Sequence, residues 1–323
     1  MKDKSLKLFS ITVLCIFILS GCVDQSGGAV KANGNSLEMN GKPEETDSET
    51  VGRNTGTGKT EDLIILATSM ATVAICEKLD LPLDGIPDSN LSEPPKRYKD
   101  LPRIGLAMSP DMEIVASMNP DWILSPVSLI SDLKPKYEAI DTSYAFLNLS
   151  SVAGMYKSIE ELGILFDREE EARILTGEFE NFYNTYKESH KQFSSPSVLI
   201  LMGLPGSYVA ATEHSYVGSL VKMAGAVNVY REEGADFITA NTEDMLKRDP
   251  DIILRTAHAL PEEVMEMFSE EFKTNDIWKN FRAVKEEKVY DLPYDKFGMS
   301  ATFDYPEALN TLDKIFYEEA QEK

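Results

Sequence analysis

The sequence predicts an α/β protein of two open-sheet lobes joined by one long helix, and three observations carry that prediction. Short continuous apolar runs alternate with helix-like segments, the pattern of strands covered on both faces. The runs fall into two sets, with one long helical stretch between them. A short motif also occurs twice without a gap, once in each set.

Taken in order, the chain opens with Lys2, Lys4 and Lys7, an apolar run from Leu8 to Leu19, and "LSGC" ending at Cys22. That run is too short for a helix crossing a bilayer and has the layout of a secretory signal. Its small-small-Cys end resembles the lipobox of bacterial lipoproteins, which implies cleavage after residue 21 and lipidation of Cys22. Residues 22–60 are poor in large apolar side chains and read as a flexible tether. The "TGTGKT" at its end is not a phosphate loop, because Arg53 stands where the first glycine would be and no strand precedes it.

The 323 residues carry 32 Lys+Arg against 54 Asp+Glu. So acidic a chain does not suit a polyanion, and nucleic acid is excluded as a partner. Cys15 leaves with the signal and Cys22 takes lipid, so Cys76 is the single thiol of the folded part and no internal disulfide forms. In an apolar stretch it reads as packing.

The first set of strands comprises "LIILAT" (63–68), "DWILSP" (121–126) and "YAFLNL" (144–149), in an N-terminal lobe of residues 61–150. Residues 151–195 form a helical linker. Its long helix starts at a capping-box-like Asp167 and Glu170, continues through Ile174, Leu175, Phe179, Phe182 and Tyr186, and stops at "SSP". The C-terminal lobe, 196–323, contains "SVLILMG" (197–203), "YVAAT" (208–212), "DIILR" (251–255) and "KVYDL" (288–292). "MEIVASMNPDWIL" (112–124) matches "TEDMLKRDPDIIL" (242–254) as a helix carrying a glutamate, a Pro-Asp turn and a buried strand. These are two Rossmann-like lobes with a ligand cleft between them.

Ligands of open α/β sheets bind at the carboxyl ends of strands. His258 stands just beyond such an end, in "LRTAHALPEEV", whereas His190 and His214 read as solvated. Three histidines are too few for a zinc site built mainly of imidazole. In "RIGLAMSPDMEIV", Met108 precedes a helix start at Ser109-Pro110, an unusual place for a residue that normally fills core gaps. Further pocket candidates follow first strands of each lobe: Thr68, Ser69 and Met70 at a helix N-terminus, and Tyr208 after "GLPG". Arg255 has two readings, a partner for a ligand anion or a structural ion pair. An enzyme using His258 as a general base finds no nucleophile elbow and no metal-ligand cluster beside it, so the chain is not read as an enzyme.

These features together resemble the helix-linked class of bacterial substrate-binding proteins that serve importers for iron complexes, haem and cobalamin. "LPRIGLAMSPDME", "VLILMGLPGSYVAAT", "DIILRTAHALPEEV" and "NDIWKNF" are similar, more closely, to the haem-receptor lipoproteins of the iron-regulated surface determinant systems. The resemblance covers about residues 62–320. It implies a receptor on the extracellular face of the cell membrane that binds haem b (iron protoporphyrin IX), with Met108 and His258 as axial iron ligands. It implies that Glu113 and Glu243, matched in the repeat, dock on arginines of an ABC-importer permease; their alternative is a solvated helix start. The partners implied are haem, the permease and the membrane through the lipid anchor. Upstream cell-surface haem-binding proteins are a candidate haem source, and the chain is expected to be a monomer. A ferric-siderophore or cobalamin receptor of the same fold is the alternative, and a siderophore would require pocket cations, of which Arg255 is the obvious candidate.

Overall fold

The computed structural model describes residues 51–52, 60–90, 92–239 and 241–321. The signal, Cys22 and nearly all of the tether lie outside the described residues. Among the described residues no helix is long and apolar enough to cross a membrane.

The first lobe runs β1 (Val51–Gly52), β2 (Ile65–Ala67), α1 (Met70–Lys78), β3 (Ile86–Asp88), β4 (Arg103–Leu106), β5 (Ser109–Pro110), α2 (Met112–Ser117), β6 (Trp122–Pro126), α3 (Ile130–Ala139) and β7 (Ser143–Leu147). Its main sheet has the order β1-β7-β6-β2, and β2, β6 and β7 are parallel. A small sheet β3-β4-β5 continues from it through a parallel bridge between Leu66 and Gly85. Two helices follow, α4 (Val152–Leu165) and α5 (Glu169–His190). The second lobe runs β8 (Ser197–Leu204), β9 (Ser207–Ala211), α6 (Tyr216–Met223), β10 (Val227–Asn228), β11 (Phe237–Ile238), α7 (Thr242–Lys247), β12 (Ile252–Ala257), α8 (Pro261–Thr274), α9 (Arg282–Lys285), β13 (Val289–Asp291) and α10 (Tyr305–Gln321). Its sheet has the order β11-β9-β8-β12-β13, with β10 also on β8.

Every apolar run singled out in the sequence is a strand, with one change of direction. β9 runs antiparallel to β8, because Pro205-Gly206 closes a two-residue hairpin between Leu204 and Ser207. Gly206 takes φ +80°, a value that costs glycine nothing. The long helix has 22 residues, about 33 Å at 1.5 Å each. Its start differs from the capping box expected. Asp167 is left-handed and ends α4 instead, and Arg168, the residue before α5, makes no side-chain cap. Glu170 binds Arg173 within the helix. Gly163 allows α4 and α5 to approach closely, since a Cβ there would meet Ala172 Cβ at 2.7 Å.

Alternation along the strands divides the core. Ile65, Leu124, Ile200 and Leu254 join α1, α4, α6 and α10 in one buried cluster that runs from one lobe to the other. Their neighbours turn outward: Leu66 and Ile123 pack under α2 and α3, while Leu199 and Ile253 pack under α7 and α8. A dense interior shared by both lobes resists a wide hinge. Cys76 is buried in it, and burial pushes its thiol up to about 12, so it is a packing residue. His190 is not solvated as its sequence neighbourhood suggests: its ring stacks on Tyr186 and its Nε2 lies 3.1 Å from Asp313, tying α5 to α10.

The repeat is a joint between helix and strand. In each copy a six-residue helix ends, a residue with positive φ follows (Asn119, Asp249), and a buried proline leads to the aspartate. Asp121 Oδ2 accepts the N–H of Ile64 at 2.8 Å, and Asp251 Oδ2 accepts that of Ser197 at 2.7 Å. Each carboxylate thus fixes the entry of the neighbouring parallel strand, β2 or β8, and sets the register Ile65 to Trp122 or Val198 to Ile252.

Candidate functional site

Met108 lies at the tip of a hairpin, not directly before a helix. Ala107 and Met108 connect β4 to β5, and α2 begins only at Met112, capped by Asp111. Ser109-Pro110 reads as a helix start because a serine-proline pair suits an N-terminus; here the pair closes a ladder against Leu106 and Gly105. Gly105 makes the tight turn possible, with φ +91° and a missing Cβ that would meet Asp111 N at 2.7 Å. The hairpin holds Met108 65% exposed and Leu106 57% exposed. Because β2, β3 and β4 run in one direction, Met108 stands past the carboxyl edge of the first lobe's sheet.

His258 occupies the corresponding edge of the second lobe. Its backbone N–H donates to Gly203 O at 2.9 Å, extending the β12 to β8 ladder by one step beyond Ala257. The chain then turns through Ala259 and a left-handed Leu260 (φ 47°, ψ 61°) into α8, which has Pro261 in its first turn. A bulky residue in that region is strained by about 1–2 kcal/mol, so the turn persists because strand and helix hold it from both sides. Leu260 is 53% exposed. Half-burial of His258 lowers its pKa. The ring is therefore neutral at pH 7, the form in which an imidazole nitrogen can bind a metal.

The other candidates fare differently. Thr68 is fully buried and its hydroxyl joins Ser125 Oγ at 2.8 Å, which joins Tyr137 OH at 2.8 Å. Ser69 caps α1 through Thr72 N–H at 3.1 Å. Their side chains thus serve the fold, leaving half-buried Met70 and the first backbone amides of α1 as the means of contacting a ligand there. Tyr208 is half-buried; its OH donates to Glu271 Oε1 at 3.1 Å and its ring packs near Phe268 and Trp278 of the second lobe. The fork of Arg255 grips Asp291 at 2.6 and 2.8 Å and lies over Phe272. The ion pair of its structural reading is present. Glu113 and Glu243 are exposed in the first turns of α2 and α7, behind the caps Asp111 and Asn241, and neither forms an ion pair among the described residues.

Sequence reasoning missed a crevice lined from both lobes by Val127, Ser128 and Ser150, by Ser215 and Asp236, and by Met299. Beside it Ala301 N–H donates to Leu149 O at 2.8 Å, so the segment before α10 returns to the first lobe. The available signal was the polar, aromatic stretch "YDKFGMSATFDY" between β13 and α10, too irregular to place. Among the described residues no group of three or more His, Cys, Asp or Glu is placed to hold a metal ion.

Two α/β lobes, a helical linker and unusual side chains at the sheet edges define a binding protein, and the chain belongs to the periplasmic binding protein family, whose profile matches residues 65–295. It is 42% identical over 262 residues to the high-affinity heme uptake system protein IsdE of Staphylococcus aureus (strain Newman), covering 81% of this chain and 89% of that one. Among solved structures, an ABC transporter substrate-binding protein from Listeria monocytogenes EGD-e is 46% identical with a TM-score of 0.76, over 79% of this chain and 99% of its own. S. aureus IsdE complexed with heme superposes with a TM-score of 0.75 at 42% identity, over 79% and 99% of the two chains.

Proposed function

We propose that this chain is a lipid-anchored haem receptor on the extracellular face of the membrane, which takes iron protoporphyrin IX between its lobes and presents it to an ABC-importer permease. The observation that carries this reading is the pair of side chains at the two sheet edges. Met108 is held out, largely exposed, on a pinned hairpin, and His258 is half-buried with a pKa lowered by that burial, so its ring is available in the neutral form. A thioether and an imidazole complete six-coordinate haem iron, and this ligand pair raises the potential and favours the reduced state. With both axial positions filled, no site remains for oxygen chemistry, which suits carriage of a cargo. Leu106 and Leu260 supply apolar surface beside the two ligands for the flat faces of the porphyrin.

The likeness to the S. aureus heme uptake protein supports this choice of ligand. A ferric siderophore is less well supported, because Arg255, the pocket cation it would call on, is already paired with Asp291. Glu113 and Glu243 are read as the docking carboxylates, since spare charges at matched helix starts can each be gripped by a guanidinium through two hydrogen bonds. Purified protein titrated in parallel with haem, cobalamin and a ferric siderophore tests the reading. Saturable binding of haem alone is expected; tight binding of either other ligand, with none of haem, overturns it.

A further inference from the structure

Gly203 holds two unrelated contacts at once. Its carbonyl accepts the His258 N–H at 2.9 Å, and its Cα hydrogen faces α8 so closely that a Cβ would meet Val264 Cγ1 at 2.3 Å and Phe268 Cε2 at 2.8 Å. Its φ is not among the positive values, so the backbone would accept another residue and only space requires glycine. Val264 sits in the first turn of α8, six residues after His258, and its N–H donates to Leu260 O at 3.1 Å. The connector between strand and helix is only His258, Ala259 and the left-handed Leu260. It has no slack, so any displacement of the start of α8 is transmitted to the turn. Farther along, Arg255 holds Asp291 while lying over Phe268 and Phe272, which anchors the middle of α8. A shift forced at Val264 therefore cannot be absorbed by moving the whole helix.

We propose that Gly203 is the positioning residue for the His258 imidazole: by lacking a side chain it lets α8 seat on β8, and by its carbonyl it fixes the backbone from which the ligand projects. This deepens the haem reading and rests on it for its consequence, though the coupling itself is a property of the haem-free protein. Sequence inspection does not reveal it, because "SVLILMG" shows Gly203 only as the last residue of a strand and does not show which helix packs on it.

The test uses Gly203→Ala and the relief variant Gly203→Ala/Val264→Ala/Phe268→Leu, which removes the atoms the new methyl would meet. In haem-free protein the three histidine rings give separate resonances, and that of His258 is expected to move in Gly203→Ala and return toward wild type in the relief variant, while those of His190 and His214 stay put. With haem, dissociation from Gly203→Ala is expected to be about 10- to 100-fold faster, the scale on which an ångström of misplacement acts. The relief variant recovers most of that loss. A folded Gly203→Ala with an unmoved His258 resonance and unchanged haem dissociation overturns the proposal, as does a relief variant that restores neither. Should Gly203→Ala not fold, Val264→Ala alone reads the same coupling through the His258 resonance, and no change there overturns it. If the resonances behave as expected and wild type takes up no haem, the positioning stands and the haem reading fails.

Discussion

In the first lobe the chain leaves α2, turns at left-handed Asn119 and enters β6 behind Pro120 and Asp121; in the second it leaves α7, turns at Asp249 and enters β12 behind Pro250 and Asp251. The two aspartates make the same bond to the neighbouring strand. Around that shared joint the copies diverge. Arg282 binds Asp251 at 2.7 Å and Asp249 at 3.2 Å, and Arg248 pairs with Asp244 at 3.0 Å, so ion pairs brace the second copy. The first copy has none of these among the described residues and leaves Ile114 exposed. What both preserve, besides the joint, is a spare glutamate one step into the helix. Bracing varies with local surroundings; the joint and the exposed first-turn carboxylate do not.

The largest effect is expected from those carboxylates. Glu113→Arg with Glu243→Arg should abolish haem-dependent growth through the importer, and each single reversal should lower it sharply. Stability should change by no more than about 0.5 kcal/mol, as for other exposed positions. Normal growth of the double mutant would reduce the shared glutamates to helix-start charges, and lost haem binding by the purified protein would show that they support the fold or the pocket.

Next in size come the joints. Asp251→Ala removes a charge-assisted bond to the backbone and leaves Arg282 with fewer partners, at a cost of about 2 kcal/mol after allowing for its partial exposure. Asp121→Ala should cost less, since among the described residues no arginine pairs with that carboxylate as Arg282 does with Asp251. Urea unfolding of both variants measures the gap, and equal losses would mean that the bracing contributes nothing.

A smaller, pH-dependent difference sharpens the same point. Burial pushes the Asp251 carboxyl up, but bonds from Ser197 and pairing with Arg282 outweigh it and hold the group below its ordinary range. A depressed folded pKa stabilises the fold fully above the unfolded value of about 3.9 and less as pH falls through the folded one. The deficit of Asp251→Asn relative to wild type should therefore be largest above pH 4 and shrink in stronger acid. A deficit that does not change with pH would place its origin outside the charge. Least of all should the lobes move: with one core running through both, the radius of gyration should be nearly equal with and without haem, and a large change in scattering would contradict the shared core.

Buried parallel strands announce themselves as apolar runs, and the Pro-Asp joint repeats because the same bond has to be made twice. Met108 and His258 are visible as residues out of place. Arg255 and Tyr208 lie beside the same edges, yet their side chains are fixed by Asp291 and Glu271, partners 36 and 63 residues away that local spacing cannot supply. His190 hides its role for the same reason, since Asp313 lies on α10. Asp167 reads as a cap because its type suits one; the close packing at Gly163 makes it the end of α4 instead.

If Met108 and His258 close from the two lobes on one iron, the visible spectrum of the haem-loaded protein records it. Wild type should show the narrow bands of six-coordinate low-spin haem. His258→Ala should lose them and most of the affinity, and Met108→Ala should shift them with a smaller loss, because imidazole is the stronger donor. A His258→Ala protein with the wild-type spectrum and affinity would contradict the account.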